Sequence, residues 1–342
     1  MTVLARRPAA RTGSTALDLV LRFRALGLVL ALLALVAATA AVNSRFLSAQ
    51  SVRDLLFAAA ITVMLAAGMT VVVLTRGIDL SVGSVLGLSA YLTGSLLRSA
   101  GIAVPLAILA GLAIGAACGA VNGVIVHFGK VPPLVATLGT LYVFRGVVYF
   151  VAGGTRINAS DLPREFLDFG SGAFLGVPYL FALAVAVLAI VAVFLSRYRS
   201  GRDLYALGSN PEAARLAGIP VGRRLMGAYL TCGALAGIGG VLYAARFGAV
   251  DASAGYGIEL DIVAAVVVGG VAIFGGSGTV VGAGLGALLL AVINNALPVL
   301  SVSQFWQQAI VGALILAAIA LDRLVGRRAA LALRRKADSH GG

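Results

Sequence analysis

The chain has 342 residues, 60% of them hydrophobic and 11% charged, with a mean hydropathy of +1.03; soluble domains carry about 25% charged residues, so that class is excluded. The net charge of +13 falls on no Lys/Arg cluster interleaved with aromatics on a soluble fold, which excludes a nucleic-acid face. Cys118 and Cys232 each lie inside an apolar run, so neither a disulfide framework nor a metal site is indicated.

Apolar runs broken by Gly, Pro or charge follow one another along the chain, each near the roughly 20 residues that cross a bilayer core. They predict spans at 26–42, 55–75, 81–97, 103–126, 132–151, 178–195, 224–245, 259–274, 279–297 and 305–321, about ten in all. The first resembles a signal peptide, with Arg6, Arg7, Arg11, Arg22 and Arg24 ahead of it, but its apolar region is too long and leads directly into another membrane segment. An uncleaved span is therefore expected. With the N-terminus inside, five basic residues of the N-tail, Arg76, Lys130, six in 196–224 and six after Leu321 face inward. That places 19 inside against six outside, with Arg145 within a span, and predicts that both tails are cytoplasmic. The expected organisation is an all-α polytopic membrane protein: a cytoplasmic tail 1–25, a membrane domain 26–322, and a basic cytoplasmic tail 323–342.

Two hydrophilic connections are long. The outer one, 152–177, carries Asp161, Glu165 and Asp168 with Arg156 and Arg164, and reads either as a solvated loop or as a contact for an external partner. The inner one, 196–224, contains a short helix punctuated at both ends. Asn210 suits the N-cap and Pro211 the first helical position, and Glu212 complements the positive helix end. Gly218 suits a left-handed stop, Ile219 an apolar contact beyond it, and Pro220 forbids continuation. A helix of about two turns is unstable alone, so the flanking spans or another protein must hold it.

Glu212-Ala213-Ala214 followed by Gly218 resembles the coupling signature of ATP-binding-cassette importer permeases, and Tyr205 to Asn210 is similar to the ribose-type branch. The same likeness covers Arg76-Gly77-Ile78-Asp79-Leu80-Ser81-Val82-Gly83-Ser84, Glu259 to Ala264, Val268-Gly269-Gly270, Phe274 to Thr279 and Gly282. Val302 to Gln307 looks like members handling rhamnose or autoinducer-2 beside ribose. The resemblance implies a permease subunit of the bacterial inner membrane that moves a sugar or sugar-like solute. It further implies a cytoplasmic ATPase dimer acting on Asn210, Pro211, Glu212, Ala213, Ala214, Arg215 and Gly218, a second permease copy or paralogue, and a periplasmic binding protein. No cofactor is expected, and no catalytic constellation or phosphate loop occurs. A branched-chain amino-acid permease is the related alternative; an ion-coupled secondary transporter is another, suggested by the broken segment at 77–83.

Candidate gate or pathway residues are Asp79 and Ser81 at that break, with Asn122, Asn294, Asn295, Gln304 and Trp306. Amides donate and accept hydrogen bonds, and aromatic faces cover the apolar side of a sugar ring. Asn side chains equally bridge helices, and Asp79 has a structural reading as a cap of the next span or a partner of Arg76. Arg145 is expected either to snorkel or to find an internal partner. Glu259 and Asp261 read either as anchors at a helix start or as solute contacts, and Gly278, Gly282 and Gly286 as a close-packing stripe.

Overall fold

The computed structural model describes residues 12–303, 305–317 and 320, with side chains described from residue 26. The architecture is helical. In chain order the helices are α1 (Thr12–Val42), α2 (Ala49–Leu74), α3 (Val82–Ala100), α4 (Val104–His127), α5 (Pro133–Ala152), α6 (Arg164–Ser171) and α7 (Tyr179–Arg197). They continue as α8 (Arg199–Ser209), α9 (Pro211–Leu216), α10 (Val221–Phe247), α11 (Ile258–Val268) and α12 (Val280–Val299), and a last apolar helix, α13, covers Trp306–Ala317. Six of these, α2, α4, α5, α7, α10 and α12, are long and apolar enough to cross a membrane.

Every predicted span coincides with a helix, and one of them needs correcting. The 259–274 segment is helical only to Val268. Gly270, Gly275, Gly276 and Gly278 then take positive φ, and the chain turns back toward α12. An apolar run does not distinguish helix from a glycine-rich turn once the turn is buried in protein, and here it is: Val271 is 1% exposed.

The centre of the bundle is α2, in which every residue from Val63 to Leu74 is buried. It packs against α10, α12, α7 and α11. A second seam joins α4 and α10 almost backbone to backbone. A Cβ on Gly115 would strike the carbonyl of Gly233, and one on Gly237 the carbonyl of Gly111. The buried Ser89 on α3 binds the seam, its Oγ donating to the carbonyls of Gly237 at 2.7 Å and Gly111 at 3.2 Å. Small residues spaced four apart make such an approach possible and let dispersion and polar contacts act at short range. Two members of the predicted stripe, Gly282 and Gly286, lie on α12 and work the same way, meeting Gly269 and the Ala265 carbonyl of α11; Gly278 lies outside the helix, in the turn before it, with φ of 126°.

The outer connection is not simply a solvated loop. Ile157 pairs with Val250 in an antiparallel bridge, Phe166 on α6 is fully buried, and Gly170 abuts the Ala245 carbonyl. A two-stranded turn, β1 (Ala173–Phe174) with β2 (Val177–Pro178), leads into α7. Its charged residues stay outside this apolar contact: Asp161 accepts the Asn158 backbone N–H at 2.9 Å, closing a local capping box.

Candidate functional site: a buried polar break beside a short capped helix

The first half of the site is the break between α2 and α3. After Leu74 the backbone reverses at Arg76, a non-glycine residue with φ of 68°. Asp79 follows, only 1% exposed. Its Oδ1 accepts the Ser81 backbone N–H at 2.9 Å and the Ser81 hydroxyl at 2.6 Å. From α4, the Asn122 amide donates to Ser81 Oγ at 2.8 Å and to both Asp79 oxygens at 3.3 Å. Thr140 on α5 then donates to Asn122 Oδ1 at 2.6 Å. One turn earlier, Thr137 donates to the carbonyl of Ile78 at 2.9 Å. Side chains of two helices, α4 and α5, thus pair the groups that the break leaves open, which is the condition for breaking a helix within a membrane.

Of the separate candidates, Asp79, Ser81 and Asn122 lie together, and Thr140 is an addition that sequence spacing did not mark. Asp79 forms no pair with Arg76 and has no cationic partner among the described residues. Two further buried groups border the break, the Cys232 thiol and the Tyr229 hydroxyl; the latter lacks a hydrogen-bond partner among the described residues.

The second half is the inner connection. It holds two helices rather than one, because α8 precedes the predicted short helix. On α8, Leu204 and Leu207 are buried, and Asp203 accepts from Arg224 of α10 at 2.9 Å and 2.8 Å. Tyr205 donates to the Gly278 carbonyl at 3.2 Å, and burial raises the pKa of its phenol. Then α9 begins at Pro211, with Asn210 Oδ1 accepting the N–H groups of Glu212 and Ala213, both at 3.1 Å. Its far end closes as the spacing predicts. Gly218 has φ of 75°, its N–H donates to the Arg215 carbonyl, and the Ile219 N–H donates to that of Ala214, the double bond of a Schellman stop.

The exposed face of α9 differs from a simple reading of the signature. Ala214 is buried against the protein itself, whereas Leu216 is 90% exposed. An exposed leucine on a polar helix is the residue a partner groove would take, and the sequence motif did not single it out. Its signal was its place in the helix pattern, one turn from Glu212 and Ala213.

Arg76 links the two halves. Its Nε donates to the carbonyl of Gly208 at 2.5 Å and its Nη2 to that of Ser209 at 2.7 Å. The Gly276 N–H donates to the Leu74 carbonyl at 3.0 Å, so the glycine turn after α11 joins the same contact.

The other candidates lie apart. Asn294 and Asn295 are on α12, which packs on α1, α2 and α11. The Asn295 amide is spent on the Ala291 carbonyl of its own helix at 2.8 Å, and Asn294 Oδ1 is buried without a partner among the described residues. Trp306 is exposed at the start of α13, and Gln304 falls outside the described residues. Arg145 takes the internal-partner option: its Nη1 donates to the carbonyls of Ala254 at 2.7 Å and Ala252 at 3.0 Å, with the Tyr256 ring 5.8 Å away. Among the described residues no group of His, Cys, Asp and Glu is placed to hold a metal ion.

Several characterised permeases are similar to this chain over most of their length. The autoinducer 2 import system permease protein LsrC of Enterobacter sp. (strain 638) is 39% identical over 303 residues, 88% of this chain and 87% of that one. The ribose import permease protein RbsC of Bacillus subtilis (strain 168) is 40% identical over 298 residues, 87% and 92%. The D-allose transport system permease protein AlsC of Escherichia coli (strain K12) is 33% identical over 282 residues, 82% and 86%. No solved structure matches. The family described as "Branched-chain amino acid transport system / permease component" matches residues 51–319, and with this helical bundle and its lack of catalytic or ATPase motifs, the chain belongs to that family of import permeases.

Proposed function

We propose that this chain is the membrane-spanning subunit of a bacterial inner-membrane ATP-binding-cassette importer for a monosaccharide or sugar-like solute. A cytoplasmic ATPase dimer docks on α9, a second permease copy or paralogue completes the pathway, and a periplasmic binding protein delivers the solute. Both tails and the 196–224 connection lie on the cytoplasmic side, and about ten segments cross the bilayer. The observation that carries this reading is α9: a capped six-residue helix with Leu216 exposed, held on α8 and α10.

The sugar assignment is supported by the similar permeases, which belong to ribose import, autoinducer 2 import and D-allose transport. The Asp79–Ser81–Asn122 cluster serves as the hinge of the gate: its members are paired with one another and enclosed, which fits a moving joint better than a solute contact. Proteoliposomes holding the permease, its ATPase and its binding protein test the whole reading. ATP-dependent uptake is expected for a member of a panel of pentoses and deoxyhexoses. Uptake of leucine or valine instead supports the branched-chain alternative, and uptake driven by an ion gradient without ATPase supports a secondary transporter.

A further inference from the structure

The docking helix is only six residues long, and within the described residues it rests on α8 and α10. Any displacement imposed on it must therefore enter the membrane through the α8 end or through α10. The α8 end meets the α2–α3 break at very short range. A Cβ on Gly208 would collide with the Leu74 carbonyl and the Gly276 N–H. Across this contact the Arg76 guanidinium holds the last carbonyls of α8, those of Gly208 and Ser209. Terminal carbonyls have no donor within their own helix and carry the negative end of its dipole, so a cation with two donors in one plane suits them.

From Arg76 the chain runs directly into the break. Ile78 is bonded to Thr137 on α5, and Asp79 to Asn122 on α4. Only two residues, Gly77 and Ile78, separate the group that holds α8 from the group that holds α4.

We propose that Arg76 is the positioning residue that transmits movement of the docking helix to the α2–α3 break, as a strut between the end of α8 and the Asp79–Asn122–Thr140 cluster. The idea rests on the importer reading above. The residue's backbone sharpens it. With φ of 68°, the position suits glycine better than any side-chain-bearing residue, so Arg76→Gly removes both bonds and leaves the turn unstrained.

The test compares wild type, R76G and R76K, each co-expressed with the ATPase, in proteoliposomes with the binding protein, and measures complex yield, ATP hydrolysis and solute uptake together. In R76G the complex is expected to form while solute moved per ATP hydrolysed falls about tenfold or more, the equivalent of one lost charge-assisted hydrogen bond. R76K, which reaches one carbonyl as a point charge, is expected between the two. Wild-type coupling in R76G overturns the proposal, as does a loss of uptake in both variants that merely follows a loss of assembled complex. A wild-type chain that binds no ATPase defeats the importer reading instead, whatever the variants do.

Discussion

At the scale of single residues, Asp79 is a carboxylate enclosed by donors and lacking a counter-ion among the described residues. Asn122→Ala removes the amide that binds it and leaves the Thr140 hydroxyl only its 3.3 Å bond to the Thr137 carbonyl. A cost of about 1–3 kcal/mol is expected, read as a lower unfolding midpoint in detergent. Asp79→Asn is expected to fold as stably as wild type or better, because a buried amide is cheaper to desolvate than a charge; a transport defect in that variant then reports a use for the charge itself. Sequence marked Asp79, Ser81 and Asn122 but not their relation. The Asn122 amide bonds to Asp79, Ser81 and Thr140, and Arg76 turns away from the carboxylate three residues on. Long-range partners such as Gly208 for Arg76, or Ala254 for Arg145, are backbone carbonyls, which every residue has, so no side-chain pattern could announce them.

Among the elements, α9 was the most legible, since each of its stops is a local backbone event written in residue type: Asn210, Pro211 and Gly218 do in the structure what their chemistry allows. Its exposed face was not, because burial of Ala214 depends on how α8 and α10 hold the helix. Leu216→Asp is expected to reduce ATPase capture in a detergent pull-down about tenfold or more, on the scale of a lost interface anchor, while leaving the permease folded. Asn210→Ala removes the N-cap and is expected to cost about 1 kcal/mol of helix stability, seen as faster proteolysis within 208–220. The α4–α10 seam was overlooked in the sequence although its glycines repeat at the same interval as those recognised on α12. A glycine stripe is visible alone; its partner stripe on another helix is not. Gly115→Leu places a side chain where the Gly233 carbonyl and the Gly237 Cα at 2.6 Å already stand, and the expected outcome is loss of folded protein on size-exclusion chromatography.

For the whole molecule, composition alone settled the membrane class, and among the described residues the apolar runs placed the helices well, with the 259–274 segment stopping early. Orientation is open to direct measurement. Both native thiols are buried, so a membrane-impermeant maleimide reads an introduced cysteine alone. Arg215→Cys is expected to label only in inverted vesicles and Leu175→Cys, 88% exposed in the outer turn, only in right-side-out cells. The short α11 bears on how the chain enters the bilayer during synthesis. At 11 residues it is about 16 Å long, roughly half the hydrocarbon thickness, and Glu259 and Asp261 stand in its first turn. Such a segment is a poor stop for the insertion machinery when it emerges from the ribosome by itself. Its glycine contacts with α12 mean that the two must partition into lipid as a hairpin, so chains stalled at residue 275 are expected to leave α11 extractable by alkali, and chains stalled well beyond 300 to anchor it.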